Sequence, residues 1–511
     1  MRNAAFQSLL AGACLAVLAA SVVMMAPGAN RAEAAAPRAG ATITCADARY
    51  PAVNVPVPNV IDATCAVIPT DMNGTFDIQP PADIYSWLTF VAVNWPVDAT
   101  TCTPSRSKSI LTAPPAPTWL TYLTSDDVFV STGSPLPWCA GPKLQRLGSR
   151  RSGVSHLPSA VRSLAGRYFA SHPAGTLLFL HHYSKSHALV EALHLEARLG
   201  LRRTALHARA DGISPAILNE ILDATNQPVV DQNGRFERFT VSMNFDEYTY
   251  IKHNRLWTLT GENNTGNLNF PVAGQNGATV GAMELKAGWK VLTPGKDIAS
   301  HFFTMPAIVY NDQAGTGPPQ LVTVGLVGLH IIHKTPRQRD WTWSTFEQID
   351  NTNDGPNDGN PKSFYNPSCS PASCPPNVQT APTPYIEIRS GGKRNPPTQV
   401  VAVVTPTPTV VKLNANFRGM LKNTVWSYYQ LISTQWTGGS GPAPTPNPAH
   451  LGHVQPFVLG NPVLETYVPP SPSPSMSSIY SCIYCHSLMM QNYNGHGFTS
   501  DFSLMVTPTQ R

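Results

Sequence analysis

The sequence predicts an α+β fold that is mainly β, with a sandwich-like body, a few packed helices and a short C-terminal segment. Three observations lead to this prediction. Prolines number 49 in 511 residues, about twice the usual share of roughly 5%, which disfavours long helical bundles. Only 13% of the residues are charged and 42% are hydrophobic, so a large core is expected and charge-driven disorder is not. Much of the central chain also reads as strands.

Eight segments have the composition or alternation of strands. They are residues 235–244, 248–260, 281–292, 302–311, 320–333, 341–349, 385–388 and 400–413. Helices are predicted over residues 84–93, 214–224 and 414–434, where apolar side chains follow a helical period or where capping residues precede the segment. Short helices packed on a β-rich body give the predicted α+β class.

The N-terminus has the organisation of an export signal over residues 1–34. Arg2 gives a charged start, residues 9–25 are apolar, and Ala32 and Ala34 form a small-x-small cleavage site. No later apolar run approaches the roughly 20 residues that span a bilayer, so no transmembrane anchor is expected. The sequence therefore predicts a periplasmic or secreted protein. Its body covers residues 35–467, a Pro/Ser-rich linker 468–480, and a C-terminal segment 481–511.

Residues 141–210 differ from the rest of the chain in composition. They contain nine Arg and seven His but no Asn, Asp, Ile, Met or Trp. Two hypotheses account for this: a basic amphipathic helix over residues 188–206 within a genuine insertion, or a stretch read out of frame, which we prefer. The histidines of this region are therefore not counted as metal ligands.

The eight cysteines beyond residue 34 form two groups. Six are scattered and predict up to three disulfides, with several connectivities open: Cys45, Cys65, Cys102, Cys139, Cys369 and Cys374. Cys482 and Cys485 belong to the pentapeptide Cys482-Ile483-Tyr484-Cys485-His486, which is the attachment pattern of a c-type haem. The two thiols can add to the haem vinyl groups and His486 can ligate the iron. One covalent haem c is the predicted cofactor.

Two other uses of this motif were weighed. A thioredoxin-like dithiol would need a preceding strand, yet a Pro/Ser run stands there. Zinc would need two further ligands, of which His496 supplies one. Only 25 residues follow His486, too few to enclose a haem alone, so the C-terminal segment is expected to dock onto the body.

The second axial ligand of the iron stays open at the sequence level. Met489 and Met490 lie one turn beyond His486 and would share its side of the haem. The candidates are therefore Met505, His496 and His330, with an open iron position as the alternative.

Four further groups of polar residues are candidates for a functional or structural role. In the strand 281–292, Glu284, Lys286 and Lys290 should form a solvated face. His330 and His333 should point to opposite faces of one strand, which prevents joint chelation. Glu347 is a weaker candidate for facing the haem. Residues 350–359 resemble a calcium loop, but Pro361 stands where the bidentate Glu should be, so a polar turn is predicted.

Several stretches resemble a set of uncharacterised bacterial exported cytochrome c family proteins with a single C-terminal CxxCH haem motif. The matching text covers residues 87–96, 281–289, 326–330, 343–347 and 461–467, and the haem motif itself. The resemblance does not extend to residues 141–210. It implies haem binding and electron transfer, and only Cys482, Cys485 and His486 carry over with a defined role.

Three classes of function follow from these observations. The first is a periplasmic monohaem c-type cytochrome-like protein that passes electrons to a redox partner protein. The alternatives are a haem-dependent oxidoreductase with an open iron site, and a secreted β-rich binding scaffold without haem. A net charge of only +5 gives no reason to expect a nucleic-acid partner.

Overall fold

A nine-stranded sheet forms the centre of the fold. The computed structural model describes residues 41–49, 56–72, 79–129, 134–139, 159–172, 177–179, 229–309, 319–378, 396–437, 454–467, 481–489, 499–503 and 505–506. Seven strands follow the order β11-β10-β9-β8-β6-β5-β3, while β7 pairs with β8, and β4 with β7. The strands are β3 Leu123–Thr124, β4 Leu178–Phe179, β5 Arg238–Met243, β6 Met283–Val291, β7 Thr304–Val309, β8 Gln320–His333, β9 Thr342–Gln348, β10 Tyr429–Thr437 and β11 Val454–Gln455.

The longest strand, β8, organises this sheet. Its C-terminal part pairs antiparallel with both β6 and β9, and its first residues pair with β7. All pairings among these strands are antiparallel except that of β4 with β7. In these registers His330 is paired with Lys286 of β6 and with Thr345 of β9. Because paired residues on neighbouring strands point to the same face of a sheet, these three side chains share one face.

One face of the sheet is covered by two helices. Helix α1 (Gln79–Val93) and helix α6 (Pro408–Met420) pack their apolar side chains on Leu285, Leu329 and Phe346. The Trp87 ring stacks on Phe417 with centroids 4.9 Å apart, and its Nε1 donates to Asn414 Oδ1 at 2.9 Å. Burial of such a large ring with its polar atom paired is strongly favourable.

The opposite face is covered by segments from several parts of the chain. Residues 461–467 cross it, and Gly328 allows their close approach, since a Cβ at this position would lie 3.0 Å from side-chain atoms of Val463 and Leu464. Helix α4 (Phe245–Asn254), helix α5 (Leu259–Thr265) and helix α7 (Cys482–Met489) belong to this side. Here Ile483, Phe502 and Met505 join one apolar cluster with Tyr248, Ile332 and Trp343.

The remaining elements are short. Strands β1 (Val97–Asp98) and β2 (Thr103–Pro104) form a two-stranded sheet, and helix α2 is Ser125–Val128. Helix α3 (Ser159–Ser171) packs Val161 and Ala165 against Ile308 of β7. Short 3-10 turns lie at Ala63–Ala66, Thr118–Thr121, Ala299–His301 and Val425–Tyr428.

The predicted α+β, mainly β class is confirmed. The body of the protein is one nine-stranded sheet with a separate two-stranded sheet. Helices and irregular segments cover the large sheet in the described part of the chain, where a sandwich would have a second large sheet. The predicted helix 84–93 and the strands at 235–244, 281–292, 302–311, 320–333 and 341–349 match α1, β5, β6, β7, β8 and β9. The predictions at 188–206, 214–224 and 385–388 lie outside the described residues.

Three predicted elements are wrong in type. The segment 248–260 is helical, because the side chain of Asn244 accepts from the Glu247 N–H and caps α4. The predicted strand 400–413 overlaps α6, which Thr407 caps and Pro408 begins. The predicted helix 414–434 ends early: Leu421 follows α6, and the chain enters β10 at Tyr429.

The scattered cysteines form three disulfides, as predicted. The pairs are Cys45–Cys65, Cys102–Cys139 and Cys369–Cys374. Each joins residues that are close in sequence, so the disulfides secure loops around the sheet. Among the helices of the described part of the chain, none has the length and apolarity to cross a membrane.

Candidate functional site

The CxxCH motif forms the start of helix α7. Ser481 precedes the helix, and its Oγ accepts from the Tyr484 N–H at 3.3 Å, as an N-cap does. Gln435 of β10 supports the same turn, because its Oε1 accepts from the Ile483 N–H at 2.9 Å and from Ser481 Oγ at 3.2 Å. The central sheet therefore fixes the first turn of α7 directly.

The two motif cysteines share one side of this turn. They are three residues apart on a helix, a spacing that places side chains next to each other. Both are partly exposed and neither takes part in a disulfide. The buried Ile483 between them anchors the opposite side of the turn in the apolar cluster.

His486 is held in one orientation. Its Nδ1 lies 2.8 Å from the carbonyl oxygen of Phe502. Since a carbonyl only accepts, Nδ1 carries the proton and donates it, which leaves the lone pair on Nε2. The described residues give Nε2 no hydrogen-bond partner. The ring also meets the Trp343 ring edge-to-face, with centroids 4.4 Å apart.

The environment keeps the His486 ring neutral. Burial lowers the pKa of His486 to about 4, and this effect outweighs the hydrogen bond to Phe502, which favours the charged ring. Nearby Lys286 and His330 lower it further, while Glu465 acts in the opposite direction. A neutral imidazole with a free Nε2 lone pair is the form that ligates iron.

The loop that presents the Phe502 carbonyl is fixed by contacts on both sides. Asp501 and Phe502 both adopt left-handed backbone conformations, with φ of 56° and 67°, which cost energy in residues other than glycine. Asp501 Oδ2 accepts from the Phe270 N–H at 2.6 Å and from Lys334 Nζ. The adjoining Leu268 N–H donates to Thr499 O at 2.9 Å. The C-terminal segment is thus docked onto the body, as the sequence predicted.

A group of charged residues lies beside the motif. Glu465 Oε1 is 2.9 Å from His330 Nε2 and 3.5 Å from Lys286 Nζ. Burial alone would raise the pKa of Glu465, but His330, Lys286 and the Asn461 N–H together lower it to about 2. Glu465 is therefore a carboxylate, and His330 Nε2 donates a proton to it.

The same carboxylate disfavours ionisation of the motif thiols. Burial, with a smaller contribution from Glu465, raises the pKa of Cys485 to about 11. Burial likewise raises the pKa of Cys482 well above its ordinary value, reinforced by Glu465 and Cys485. Both residues are therefore neutral thiols at physiological pH, unlike the low-pKa thiolates of redox-catalytic cysteines.

Of the predicted second ligands, two lie in the described residues. His330 is buried on the face of the sheet that carries Glu465 and acts electrostatically on His486. Met505 is buried in the apolar cluster that contains Ile483 and Phe502. His496 and Met490 lie outside the described residues, and Met489 ends helix α7.

Two predictions about strand faces can now be judged. His330 and His333 do point to opposite faces: His333 Nδ1 contacts the Tyr85 hydroxyl on the α1 side, and its Nε2 lies 2.8 Å from Val280 O. The predicted solvated face of β6 is wrong, because Glu284 and Lys290 are only 4% and 1% exposed. Segments distant in sequence cover this face, among them those of Asp231 and Asp297, which pair with Lys290; local alternation cannot reveal such cover.

Glu347 and the loop after it lie farther along the sheet. Glu347 is buried and accepts from Gln430 Nε2 at 3.1 Å, and burial together with Asp354 raises its pKa well above the ordinary value. In the predicted polar turn, Asp350 pairs with His301 at 2.7 Å and Lys362 at 3.6 Å. These residues interact with one another and not with the CxxCH turn.

Sequence reasoning missed the residues that position the motif. Gln435, Trp343 and Phe502 come from three distant parts of the chain, and only Trp343 lies in a stretch that the resemblance had marked. No sequence signal marked Gln435, because a helix was predicted over residues 414–434 and the strand Tyr429–Thr437 that carries it was missed. Phe502 contacts His486 through its backbone carbonyl, so the identity of its side chain could not indicate this role.

The donor set of this site fits a c-type haem. Two adjacent thiols stand on one helical turn, followed by an imidazole whose Nδ1–H is bound to a backbone carbonyl and whose Nε2 is available. Such a carbonyl partner is the usual support of a metal-ligating histidine. Cys482 and Cys485 would hold the group covalently, and His486 would ligate its iron.

Comparison with known proteins gives no further guide to this site: the chain matches no protein-family model, no curated protein and no solved structure.

Proposed function

We propose that this protein binds one haem c covalently through Cys482 and Cys485, with His486 as an axial ligand, and transfers electrons to a redox partner protein. The observation that carries this proposal is the 2.8 Å contact of His486 Nδ1 with the Phe502 carbonyl. It leaves Nε2 available beside two thiols on one helical turn. A histidine with only a packing role would not need this combination.

The state of the thiols argues against a dithiol oxidoreductase. Such an enzyme needs a thiolate nucleophile, and its reactive cysteine has a lowered pKa. Burial and Glu465 instead raise the pKa of both Cys482 and Cys485. A thioether bond to haem has no need of a stable thiolate, so this environment suits cofactor attachment.

The residues around the motif hold its turn and its imidazole in position. When bound, the haem supplies a reversible one-electron iron couple. Gln435 and Ser481 fix the turn that bears the thiols, while Trp343 and the Phe502 carbonyl orient His486. Buried protein around these groups restricts access of water, which is one of the means by which proteins set the potential of a haem.

His330 and Met505 are the candidates for the second axial ligand within the described residues. His330 belongs to a charged group in which its Nε2 donates to Glu465, and Met505 lies in an apolar cluster. Two strong ligands would give a low-spin spectrum and support electron transfer. Ready binding of cyanide or carbon monoxide would support the alternative, an oxidoreductase with an open iron position.

Export to an oxidising compartment belongs to the same proposal. The three disulfides are a feature of proteins in the periplasm or outside the cell. Haem c attachment also takes place beyond the cytoplasmic membrane, where the predicted signal at residues 1–34 would direct the chain.

The test is expression in the periplasm together with a haem-maturation system, followed by a haem stain on a denaturing gel. The wild-type chain is expected to stain, and the variant with Cys482→Ser and Cys485→Ser is expected not to. The matched control carries Cys369→Ser and Cys374→Ser, which removes a cysteine pair that forms its own disulfide, and it should still stain. A wild-type chain that folds and remains unstained would overturn the proposal.

A further inference from the structure

A pair of buried carboxyl groups lies on the same sheet face as the CxxCH turn. Glu247 belongs to the first turn of α4, and Glu284 belongs to β6. Asn244 brings them together, since its Oδ1 accepts from both the Glu247 N–H at 3.0 Å and the Met283 N–H at 3.1 Å. The two carboxyl groups therefore lie close enough for each to affect the ionisation of the other.

No cation compensates this pair among the described residues. Glu247 is fully buried and neither of its carboxyl oxygens has a donor partner, and Oε1 of Glu284 also lacks one. The nearby Lys334 is committed to Asp501. Two carboxylates so close together cannot both be charged in such a place. The pair therefore holds at least one proton, which Glu247 and Glu284 can share.

The charged groups around the pair are all accounted for in the described residues. Asp246 Oδ2 accepts from three backbone N–H groups, those of Thr279, Val280 and Gly281. The charge of Asp501 raises the pKa of both glutamates. Lys334 interacts electrostatically with Arg339, which lowers its pKa, and with Asp340, which raises it. Most of this surrounding charge is negative. This negative charge favours the protonated form of the pair. Burial, the larger effect, raises the pKa of Glu284 to about 7.

The pair is connected to the support of His486. Ser503 hydrogen-bonds to Glu284, and Ser503 directly follows Phe502, whose carbonyl receives the His486 proton. In the registers, Glu284 pairs with Ile332 and Ile332 with Trp343, so Glu284 lies two strands, roughly 10 Å, from the residue that packs on His486. Charges at this separation interact through a medium of low dielectric constant.

We propose that Glu247 and Glu284 form a proton-binding site whose occupancy is coupled to the oxidation state of the centre at His486. This inference rests on the proposed function. The pair keeps one proton in both states. When the centre gains one electron, a second proton would enter the pair from solvent, so that the net charge of the buried region would stay unchanged; oxidation would release the electron and this second proton. By linkage, the pair binds the second proton more tightly when the centre is reduced.

The test is a potentiometric titration of the haem-loaded protein over a range of pH. The midpoint potential of the wild-type protein is expected to fall as pH rises through neutrality. The limiting change is tenfold in the reduction equilibrium per pH unit, which is about 59 mV for one electron. Glu284→Gln keeps a neutral side chain of the same shape and should remove this slope.

The matched control is Glu347→Gln, which alters another buried glutamate of the same sheet face that does not contact Ser503. It should retain the wild-type slope. A slope that persists in Glu284→Gln, for example one caused by the peripheral carboxylates of the haem, would overturn the coupling.

Proton uptake by the wild-type protein gives a readout that needs no variant. On reduction in weakly buffered solution near pH 7, the protein is expected to take up a proton fraction that approaches one per electron. Absence of uptake would overturn the proposal even if the variants failed to fold. A protein without covalent haem would overturn the proposed function as well, whereas a haem protein with a flat potential would overturn the coupling alone.

Discussion

His486 donates its Nδ1 proton to the carbonyl oxygen of Phe502 at 2.8 Å, across 16 residues of sequence. This contact joins the only helix of the described C-terminal segment to a loop that is itself bound to the body through Asp501 and Lys334. It fixes the orientation of the imidazole that the proposal assigns to the haem iron.

Gln435 should control the stability of the motif turn. Gln435→Leu removes the acceptor for the Ile483 N–H and Ser481 Oγ and the donor to Pro456 O. Because buried donors and acceptors then lack partners, we expect a loss of about 2–4 kcal/mol in the free energy of unfolding, measured by urea denaturation. Faster proteolysis of the C-terminal segment should accompany it.

A suitable control for this variant is Gln232→Leu, which removes one hydrogen bond, to Thr398 O, at a site remote from α7. Its cost should be smaller, and cleavage of the C-terminal segment should stay slow. Equal proteolysis of the two variants would show that Gln435 does not hold the motif turn.

Removing one partner of the Lys334–Asp501 ion pair should destabilise the fold more than removing both. Both side chains are almost fully buried, at 1% and 0% exposure. Lys334→Met leaves the Asp501 carboxylate without its cation and is expected to cost about 3–5 kcal/mol, measured by chemical denaturation. The double variant with Asp501→Asn removes the uncompensated charge and should recover part of this loss. No recovery in the double variant would mean that Lys334 acts through packing alone.

His333 should make stability depend on pH. Burial lowers the pKa of His333 from 6.5 to about 4, so the unfolded chain binds more protons between these values. The contribution of neutral His333 to the free energy of unfolding is fully present above pH 6.5 and is lost as the pH falls towards 4. The loss amounts to up to about 3 kcal/mol. Urea titrations at pH 4.5 and pH 7 of wild type and His333→Gln should show that the variant loses part of this dependence. The exposed His253→Gln should behave as wild type.

The motif thiols should react slowly in the haem-free protein. For Cys485, a pKa of about 11 in place of 9.0 lowers the thiolate fraction about 100-fold at pH 8. Alkylation of the Cys482→Ser variant, followed by mass spectrometry, isolates this thiol. Its rate should rise on unfolding in urea. A native rate that equals or exceeds the unfolded rate would favour a reactive dithiol.

Strands β5 to β9 were predictable because the residue composition and alternation typical of a strand can be read from each segment alone. The errors at 248–260 and 414–434 arose where capping by Asn244 or early exit into β10 overrides local periodicity. In the site, Cys482, Cys485 and His486 were predicted from spacing alone. The stretches at 326–330, 343–347 and 461–467, which the resemblance had marked, lie together around His330, Thr345 and Asn461. The roles of Gln435, Glu465 and the Phe502 carbonyl depend on tertiary contacts, so no local pattern could assign them.

The most direct test of the account is mass analysis of the peptide that contains residues 482–486, taken from protein matured where haem attachment is active. The account predicts that this peptide carries one haem bound through both cysteine sulfurs and that the intact protein gives distinct oxidised and reduced spectra. Recovery of the peptide with two unmodified thiols, or with a Cys482–Cys485 disulfide, from correctly folded protein would contradict it.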